Sequence, residues 1–327
     1  SRILQLTVQD LGKSWESFFN QAQPGWGRPK FHSRFETHQG FKSDTARIKG
    51  NQLFLDHPRQ NHDQWSSLML KSQDILSDKC GVMSFYRERG KYYVTIPFKV
   101  PASQLPKLKA TDKTTGVDRN VNRFVTIDGT FHVAPHRLTR LYQRVKHYQR
   151  MLAKKRLIND KKKACRSHNY QQIRMKLQRT YRKIHNIQAD LMQKFTTMLV
   201  KQYNTVVIED LNVKGMKMSH IASKGLHRSM FGLFRQAITY KCQWYQRELI
   251  VANRFYPSTQ RCPYCGNIKT GDDKITLYGN KKHHTLHNQY ICYNPACSHY
   301  LQVQDRDYSA VMALNDLVKH PELNHAY

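Results

Sequence analysis

The spacing of apolar residues changes along the chain, and each change predicts a different kind of structure. Near the start, apolar residues recur at steps of three and four, which predicts an amphipathic helix over about the first twenty residues. These residues are Leu4, Val8, Leu11, Trp15 and Phe18. From about position 35 to 100, short β-type runs flank the turn residues Gly50-Asn51 and Arg89-Gly90. They predict hairpins that belong to a small β-barrel.

Further strands are predicted after a polar, lysine-bearing linker at 102–115. Gly116-Val117-Asp118 begins the first of them, and residues 123–127 form the second. Asp128-Gly129 predicts the hairpin turn into a third strand. The β-branched run at 205–208 predicts a buried strand that places Glu209 at its end.

Helical periodicity covers the rest of this second region. Apolar stripes run through 138–152 and 173–198, residues 230–249 are again helical, and Ile250-Val251 begins a short strand. A final helix carries Asp305 and Asp307 at its N-terminal end. Strands that alternate with helices predict an α/β domain, which follows a β-rich domain in this chain.

Charge narrows the choice of partners. The chain of 327 residues has 54 Lys and Arg against 23 Asp and Glu, so the net charge is 54 − 23 = +31. Such an excess repels itself unless a polyanion is bound, which makes nucleic acid the expected partner. The mean hydropathy is −0.72, and no run of eighteen apolar residues is present, so a membrane partner is not expected.

Cysteine use and the first residues indicate a compartment. Seven is an odd number of cysteines, and four of them fall between positions 262 and 297, which suits a cytosolic metal site better than a disulfide framework. The first residues show no apolar block of the kind that a signal peptide carries. A cytosolic protein that is not secreted is therefore expected.

The four clustered cysteines form two pairs, Cys262-x2-Cys265 and Cys292-x4-Cys297, separated by 26 residues. Each pair can place two thiolates on one tight turn, and together they supply the tetrahedral sulfur set that Zn²⁺ prefers. Disulfides and simple reduced thiols are the alternatives. The nearby histidines are interpreted as exposed loop residues, and these are His283, His284, His287 and His299.

Basic residues concentrate between Arg137 and Lys183, where seventeen Lys or Arg accompany one acid, Asp160. A solvated charged face is the plain interpretation, but so large an excess favours contact with a phosphate backbone. The candidates are Arg137, Arg140, Arg144, Lys146, Arg150, Lys154, Lys155, Arg156, Arg174, Lys176, Arg179, Arg182 and Lys183.

Acidic residues are scarce, so their placement is informative. Asp118, Glu209 and the pair Asp305/Asp307 come from separate segments, and three converging carboxylates can hold two divalent ions for phosphodiester hydrolysis. Each also has a plain interpretation: Asp118 as a turn former, Glu209 as a salt-bridge partner, and either aspartate of the pair as a helix cap. Spacing alone leaves these alternatives open.

Four local strings, taken in order, resemble the TnpB (OrfB) family of transposon-encoded RNA-guided DNA nucleases, which are related to type V CRISPR effectors. The strings are Gly116-Val117-Asp118-Arg119-Asn120, Val207-Ile208-Glu209-Asp210-Leu211-Asn212-Val213-Lys214-Gly215-Met216, Phe255-Tyr256-Pro257-Ser258 before the first cysteine pair, and Asp305-Arg306-Asp307 after the second. The resemblance covers about residues 116–317. Ser309 stands where members commonly carry Asn.

The resemblance implies a RuvC-type, RNase H-like nuclease domain that a zinc-ribbon insert interrupts. It also implies that Asp118, Glu209 and Asp307 bind two catalytic Mg²⁺ ions, which leaves Asp305 as the helix cap. The implied order of domains is a helical recognition-lobe remnant (1–34), a wedge β-barrel (35–112), the RuvC-like domain (113–258) with its basic helical segment (137–202), a zinc-binding target-loading insert (259–300) and a C-terminal RuvC helix (301–327).

The function implied is RNA-guided DNA cleavage. A transposon-derived guide (omega) RNA would pair with one strand of a double-stranded target that carries a flanking motif, and a single RuvC site would cut. A catalytically inactive RNA-guided repressor and an unguided, structure-specific RuvC-like nuclease are the alternatives. The family's opening strand and most of its recognition helices are not found, which predicts a chain that is shortened at its N-terminus or given only in part.

Overall fold

A computed structural model describes the residues 2–20, 27–30, 38–55, 67–71, 80–88, 91–133, 135–158, 167–218, 225, 229–276 and 278–325. These residues divide into two units, Ser1–Leu105 and Pro106–Tyr327. The predicted turn at Arg89-Gly90 and the part of the basic segment at 159–166 lie outside the described residues. No described helix is both long and apolar enough to cross a lipid bilayer.

The first unit combines one helix with two small antiparallel sheets. Its elements are α1 (Arg2–Phe19), β1 (His38–Ser43), β2 (Arg47–Lys49), β3 (Gln52–Phe54), β4 (Leu68–Met69), β5 (Met83–Glu88) and β6 (Lys91–Thr95). The strand orders are β1-β5-β6 and β2-β3-β4, so both predicted hairpins are present. Ile48, Leu53, Met83 and Phe85 form a shared core. Closure into one barrel stays a prediction, because the described strands lie in two sheets.

Helix α1 has the predicted length, but its predicted apolar face is not the buried one. Leu6 is the buried residue of α1, and ion pairs of Arg2 with Asp44 (2.7 Å) and of Asp10 with Lys42 (2.8 Å) attach the helix to the β1 region. The stripe from Leu4 to Trp15 is exposed instead. The side of α1 that meets the β1 region therefore carries Leu6 and charged pairs, which the spacing of apolar residues does not report.

The second unit is built on a five-stranded sheet with helices on both faces. Its elements before the cysteine-rich segment are β7 (Thr114–Arg119), β8 (Arg123–Thr126), β9 (Gly129–His132), α2 (His136–Ile158), α3 (His168–Gln202), β10 (Thr205–Glu209), α4 (Val213–Met218), α5 (Phe231–Trp244) and β11 (Glu248–Ala252). The order is β11-β10-β7-β8-β9, with β11, β10 and β7 parallel and the remaining pairs antiparallel.

The second unit also contains β12 (Gln289–Ile291), β13 (Val303–Asp305), α6 (Arg306–Lys319) and short 3-10 helices at Gly271–Asp273 and Pro321–Asn324. Strands β12 and β13 pair in an antiparallel manner and bracket the second cysteine pair. The segment between the two cysteine pairs contains two tight antiparallel bridges, Thr276 with Gly279 and Asn280 with Thr285.

Strand β10 shows how the sheet separates two cores. Val206 and Ile208 pack with α3 and α5 residues such as Phe195 and Phe234, whereas Val207 packs with Leu314 of α6. Alternate residues of a strand point to opposite faces, so a continuous apolar run is what a sheet covered on both sides requires. Odd-numbered positions of β10 therefore face α6.

Helix α6 lies very close to β7. A Cβ atom at Gly116 would stand 2.4 Å from the carbonyl oxygen of Val311 and 2.8 Å from Cβ of Leu314. Glycine is therefore required at this position for the helix to approach the strand. The close approach brings the first turn of α6 to the strand ends.

Helices α2 and α3 pack through the stripes that the sequence predicts. Leu138, Leu141 and Val145 of α2 form a buried cluster with Ile184 of α3. Ser167 caps α3, because its Oγ accepts a hydrogen bond from the backbone N–H of Tyr170 at 3.2 Å. The apolar faces are thus used between the two helices, which leaves their basic residues outside.

Three boundaries differ from the predicted ones. Strand β7 begins at Thr114, inside the predicted linker, because the strand pairs with β10 from Thr205 onwards. The predicted helix 230–249 ends at Trp244, where Gln246 adopts a positive φ of 53° and the chain turns into β11. Strand β9 begins at Gly129, so the turn includes Ile127 and Asp128 rather than Gly129.

Candidate active site and metal centre

Asp118 and Glu209 lie on neighbouring parallel strands and on the same face of the sheet. Val117 of β7 pairs with Ile208 of β10, so the next residue along each strand is a carboxylate. Val117 and Ile208 point into the core with α3 and α5. Because side chains alternate, Asp118 and Glu209 point to the opposite face, which α6 covers.

Asp307 approaches the same place from the first turn of α6. Asp305 caps this helix, since its Oδ1 accepts a hydrogen bond from the backbone N–H of Tyr308 at 2.9 Å. The predicted capping role of Asp305 is therefore confirmed. Asp307 is 2% exposed. Ser309 donates to the backbone carbonyl of Asp305 at 2.9 Å and so reinforces the same turn.

Burial and like charge both act on Asp118. Its removal from water, followed by the fields of Glu209 and Asp307, raises the pKa of Asp118 to about 8. Arg306 and a hydrogen bond from Nδ2 of Asn120 to Oδ2 (2.9 Å) act in the opposite direction. The three acids are thus close enough to interact electrostatically, and a nearby cation would offset their repulsion.

Glu209 is held from two sides. Oγ of Ser258, in the segment that precedes the cysteines, donates to Oε1 of Glu209 at 2.5 Å. The buried guanidinium of Arg119 donates to the backbone carbonyl of Glu209. Burial lowers the pKa of Arg119 to about 10. The contact with Ser258 orients the Glu209 carboxylate, and the contact with Arg119 holds the Glu209 backbone.

Two arginines hold Asp307. Arg123, the first residue of β8, donates to Oδ2 through Nε at 3.1 Å and also through Nη2. Arg306 donates through Nη2 to Oδ1 at 3.1 Å. The carboxylate that comes from the end of the chain is therefore neutralised by guanidinium groups from β8 and from its own helix.

The three acids are neighbours, but they do not form a tight ligand set. Within the described part of the chain, the four cysteines, whose Sγ atoms all lie within 4.8 Å of one another, are the one group of three or more metal-ligating side chains close enough to hold an ion. The donor chemistry nevertheless fits Mg²⁺, which prefers carboxylate oxygens, and Asp118 receives its hydrogen bond from a neutral amide. Catalytic metal binding by Asp118, Glu209 and Asp307 therefore stays a prediction.

The cysteine cluster, in contrast, has the dimensions of a zinc site. Sγ of Cys262 lies 3.8 Å from Sγ of Cys297, and Sγ of Cys265 lies 3.7 Å from that of Cys292. A tetrahedron with Zn–S bonds of about 2.3 Å has edges of about 3.8 Å. The four cysteines, three of them buried, can thus hold a metal such as zinc.

The surroundings of the cluster favour the thiolate form at Cys265, whereas burial raises the pKa of Cys292 and of Cys297. The amide Nδ2 of Asn294 lies 3.6 Å from Sγ of Cys265. Burial opposes ionisation of Cys265, but hydrogen bonds from the Asn267 backbone and from Asn294 lower its pKa to about 7. The histidines are engaged elsewhere: His283 contacts Asp273 at 2.8 Å, and His299 stacks on Tyr264. No described histidine joins the cysteine set.

The predicted nucleic-acid-binding residues lie on α2 and α3, most of them at exposed positions. Eleven of the thirteen are exposed, while Lys155 and Arg182 are half-buried. Arg156 is not free, since its guanidinium donates to the hydroxyl of Tyr170 at 2.7 Å and 3.0 Å. The arrangement provides a broad positive surface, and contact with nucleic acid stays a prediction.

Sequence reasoning does not identify several residues of the site. The sequence presents Ser258 only as part of a motif, and it gives Arg123 and Arg306 no role. A Ser 49 positions after Glu209 gives no local signal that the two touch. The Arg123–Asp307 pair spans 184 positions. These pairings depend on strand register and on the placement of α6, which spacing does not contain.

Comparisons with known proteins agree with this architecture. A family model described as "Probable transposase" (OrfB_IS605) matches residues 95–220, and a second, described as "Cas12f1-like, TNB domain", matches residues 231–314. The two follow each other along the part of the chain that carries the sheet, the acids and the cysteines. The resemblance to the TnpB (OrfB) family that the four sequence strings predict is thereby confirmed.

Curated relatives are similar over part of their length. The chain is 26% identical over 285 residues to "Putative RNA-guided DNA endonuclease InsQ" of Escherichia coli, which covers 82% of this chain and 66% of that protein. It is 29% identical over 181 residues to a "Putative RNA-guided DNA endonuclease" of Streptomyces pristinaespiralis, which covers 55% of this chain and 42% of that protein. The chain thus spans between two fifths and two thirds of these relatives.

Among solved structures, the chain is similar to one described as "Cryo-EM structure of the Cas12f1-sgRNA-target DNA complex". The TM-score is 0.40 and the sequence identity is 12%, over 92% of this chain and 74% of that chain.

Proposed function

We propose that this protein is an RNA-guided DNA endonuclease that cuts at one site built from Asp118, Glu209 and Asp307. The observation that carries the proposal is the placement of these acids. Two lie on adjacent parallel strands at matching positions, and the third lies in the helix that covers the same face. The names of the curated relatives agree with this activity.

The acids have the chemistry that two-metal hydrolysis needs. Asp118, Glu209 and Asp307 would hold two Mg²⁺ ions, which activate a water molecule and stabilise the leaving oxygen of the phosphodiester. Ser258 orients the Glu209 carboxylate, and Asn120 orients that of Asp118. Burial of Asp118 and Asp307 limits the access of competing water to their carboxylates.

Guide RNA and target would be held mainly through phosphates. The exposed Arg and Lys residues of α2 and α3 match a backbone-binding surface, which positions a nucleic acid without reading its sequence. Base pairing between a transposon-derived guide RNA and one DNA strand would supply the sequence specificity. The +31 net charge supports such a polyanionic partner. The site of action would be the prokaryotic cytoplasm and its nucleoid DNA.

Each part of the chain takes a role in this proposal. Residues 1–34 would be a recognition-lobe remnant and 35–112 a wedge domain that meets the duplex and its flanking motif. Residues 113–258 and 301–327 would form the RuvC-type nuclease core. Residues 259–300 would be a zinc-stabilised insert that loads the target strand, which the match to a Cas12f1-like TNB domain supports.

Guide dependence is the property to test first. The full chain is purified with RNA transcribed from the transposon end, the bound RNA is sequenced, and plasmid cleavage is measured in Mg²⁺. Matched, mismatched and omitted guides serve as the three arms, and EDTA serves as the metal control. We expect cutting only with the matched guide and Mg²⁺.

Two other outcomes would replace the proposal. Cleavage of DNA without RNA would identify an unguided RuvC-like nuclease. Guide-dependent binding of the matched target without any cutting would identify an RNA-guided repressor.

A further inference from the structure

Both oxygens of the Asp307 carboxylate are engaged by guanidinium groups. Oδ2 accepts two hydrogen bonds, from Nε and Nη2 of Arg123, and Oδ1 accepts one from Arg306. A carboxylate oxygen has two lone pairs, so Arg123 fills those of Oδ2. The Asp307 side chain is 3% exposed, which leaves little room for a second partner at this oxygen. A metal ion can therefore bind Oδ2 only if Arg123 leaves it.

Arg123 and Arg306 differ in how freely they can move. The Arg306 side chain is 18% exposed and its Nε is buried, whereas the Arg123 side chain is 40% exposed. The backbone of Arg123 is fixed, since its carbonyl accepts from the N–H of Asn120 at 2.9 Å and the residue pairs with His132 of β9. Arg123 can therefore swing its side chain into solvent while strand β8 stays in place.

A released Arg123 would stand at the mouth of the acid cluster. A guanidinium binds a phosphate group through two parallel hydrogen bonds, as it binds a carboxylate. Its main-chain attachment in β8 keeps it within one side-chain length of Asp307. The strand that is cut must bring a phosphate to this same place.

We propose that Arg123 is an exchangeable counter-ion, which holds Asp307 in the metal-free protein, yields Oδ2 to a divalent cation and then donates to a phosphate oxygen of the DNA strand. The inference rests on the proposed function for its last step. Its first step concerns metal binding alone. Arg123 would thus oppose the binding of metal and favour the binding of the reacting phosphate.

This double role predicts opposite changes in two measurements. Removing Arg123 should tighten metal binding, because Asp307 then has no competing cation from β8. The same change should slow cleavage, because the reacting phosphate then has one hydrogen-bond donor fewer. A residue that merely supports the fold would not tighten metal binding when it is removed. The two effects together therefore distinguish the proposal from a structural role.

The first measurement is the binding of Mn²⁺ to the full chain without nucleic acid. The EPR signal of free Mn²⁺ reports how much of the ion remains unbound. Mn²⁺ is a suitable probe because carboxylate sites that suit Mg²⁺ also bind it. We expect Arg123→Gln to bind Mn²⁺ about tenfold more tightly, the effect expected when one charge-assisted competitor is removed. Arg123→Lys should lie between Arg123→Gln and the unchanged chain.

Two controls show whether the change acts through Asp307. Arg235→Gln removes an arginine of similar exposure, 42%, that pairs with Asp210 at 3.0 Å, and it should leave Mn²⁺ affinity unchanged. In an Asp307→Asn background, Arg123→Gln should no longer tighten Mn²⁺ binding. Unchanged or weaker Mn²⁺ binding by a folded Arg123→Gln chain would overturn the exchange, as would an equal gain in Arg235→Gln.

The second measurement is guide-dependent cleavage at saturating metal. We expect Arg123→Gln to cut at least about tenfold more slowly than the unchanged chain, the effect expected for one charge-assisted hydrogen bond to the reacting phosphate. An unchanged rate would overturn the phosphate-binding step. If the unchanged chain cuts no DNA at all, the proposed function fails, while the Mn²⁺ titration still decides whether Arg123 and a metal compete for Asp307.

Discussion

Ser258 donates a hydrogen bond of 2.5 Å to Glu209 across 49 positions of sequence. Ser258 is 4% exposed and directly precedes the cysteine-rich segment, while Glu209 ends strand β10. The hydrogen bond ties the start of the metal-binding segment to the candidate active site. It also gives a physical role to the Tyr256-Pro257-Ser258 string, which otherwise looks like an ordinary turn.

Replacement of Ser258 by Ala should impair Mg²⁺-dependent cleavage rather than target binding. A hydrogen bond to a charged group contributes about 1.5–3 kcal/mol, so an untethered Glu209 carboxylate should lower the cleavage rate about tenfold or more. The Mg²⁺ concentration that gives half the maximal rate should rise, whereas affinity for the target should not change. Cleavage rates across a Mg²⁺ series, beside a binding assay, measure both.

The matched control for this change is Ser298→Ala, which removes an exposed hydroxyl in the cysteine-rich segment. It should leave the Mg²⁺ dependence unaltered. A Ser258→Ala chain with an unaltered Mg²⁺ dependence would show that the hydrogen bond does not position Glu209.

One zinc ion per chain should be bound by the four cysteines. The 3.7 Å and 3.8 Å Sγ–Sγ distances match a zinc tetrahedron, and thiolate ligation supplies folding free energy to a polar segment with a small core. Cys292→Ser should lose the metal and lower the melting temperature. Elemental analysis and thermal unfolding of the full chain check both statements.

Cys80→Ser is the control for the zinc assignment, because Cys80 lies in the first unit and outside the cluster. It should retain one zinc. Equal zinc contents for Cys292→Ser and the unchanged chain would contradict the assignment.

Much of the fold was predictable because it depends on local periodicity. The paired stripes of α2 and α3 and the buried strand that ends at Glu209 follow from the spacing of apolar residues. Helix α1 shows the limit, because the side that meets the β1 region carries ion pairs of Arg2 and Asp10 that the spacing of apolar residues does not reveal. The helix that ends at Trp244 shows another limit. Gln246 has a positive φ there, which its residue type does not predict.

The candidate site was predictable in its parts and not in its hydrogen bonds. The acids and the cysteines stand out by scarcity and by spacing, and the resemblance to a family names them. The partners of those groups are ordinary residues: Ser258 on Glu209, and Arg123 on Asp307. They become visible only when strand register and the placement of α6 are known.

The basic helices should bind phosphates without regard to sequence. Substituting Arg140, Arg144 and Arg174, which are exposed, by Gln should weaken guide binding about equally for every guide sequence. The slope of log affinity against log salt should fall by about one for each phosphate that the variant no longer binds. Salt titrations with two unrelated guides give the measurement.

Lys194→Gln is a control, because Lys194 is exposed on α3, the helix that carries Arg174, but pairs with Asp190 at 2.8 Å. Its salt slope should equal that of the unchanged chain. An effect of the arginine changes that is confined to particular bases would contradict the backbone role.

Lys241 should make stability depend on pH. Its ammonium is buried and donates to neutral oxygens of Gln193 (2.7 Å), Thr196 (2.8 Å) and Thr197 (2.8 Å). Burial lowers its pKa from 10.5 to about 8. Between these values the unfolded chain binds more protons at this site, so its contribution to the free energy of unfolding rises as the pH rises.

Denaturant unfolding from pH 7.5 to 10 tests this sign. The free energy of unfolding of the unchanged chain should rise relative to that of Lys241→Met as the pH increases. The control is Lys201→Met, which replaces an exposed lysine of α3 and should show no such trend relative to the unchanged chain. A constant difference between the unchanged chain and Lys241→Met over this range would contradict the expectation.

We propose that Asp118, Glu209 and Asp307 perform the cut, while other parts of the chain bind the guide and the target. Carboxylates at a two-metal site stabilise charge that develops only during attack on phosphorus, whereas binding depends on base pairing and on the basic surface. Target binding and cleavage by the guide-loaded chain, measured together for Ala variants of these acids and of Asp305, separate the two properties. We expect Asp118→Ala, Glu209→Ala and Asp307→Ala to bind target and not cut, and Asp305→Ala to keep cutting. An active Asp307→Ala chain beside an inactive Asp305→Ala chain would contradict the assignment of Asp307 as the third catalytic acid.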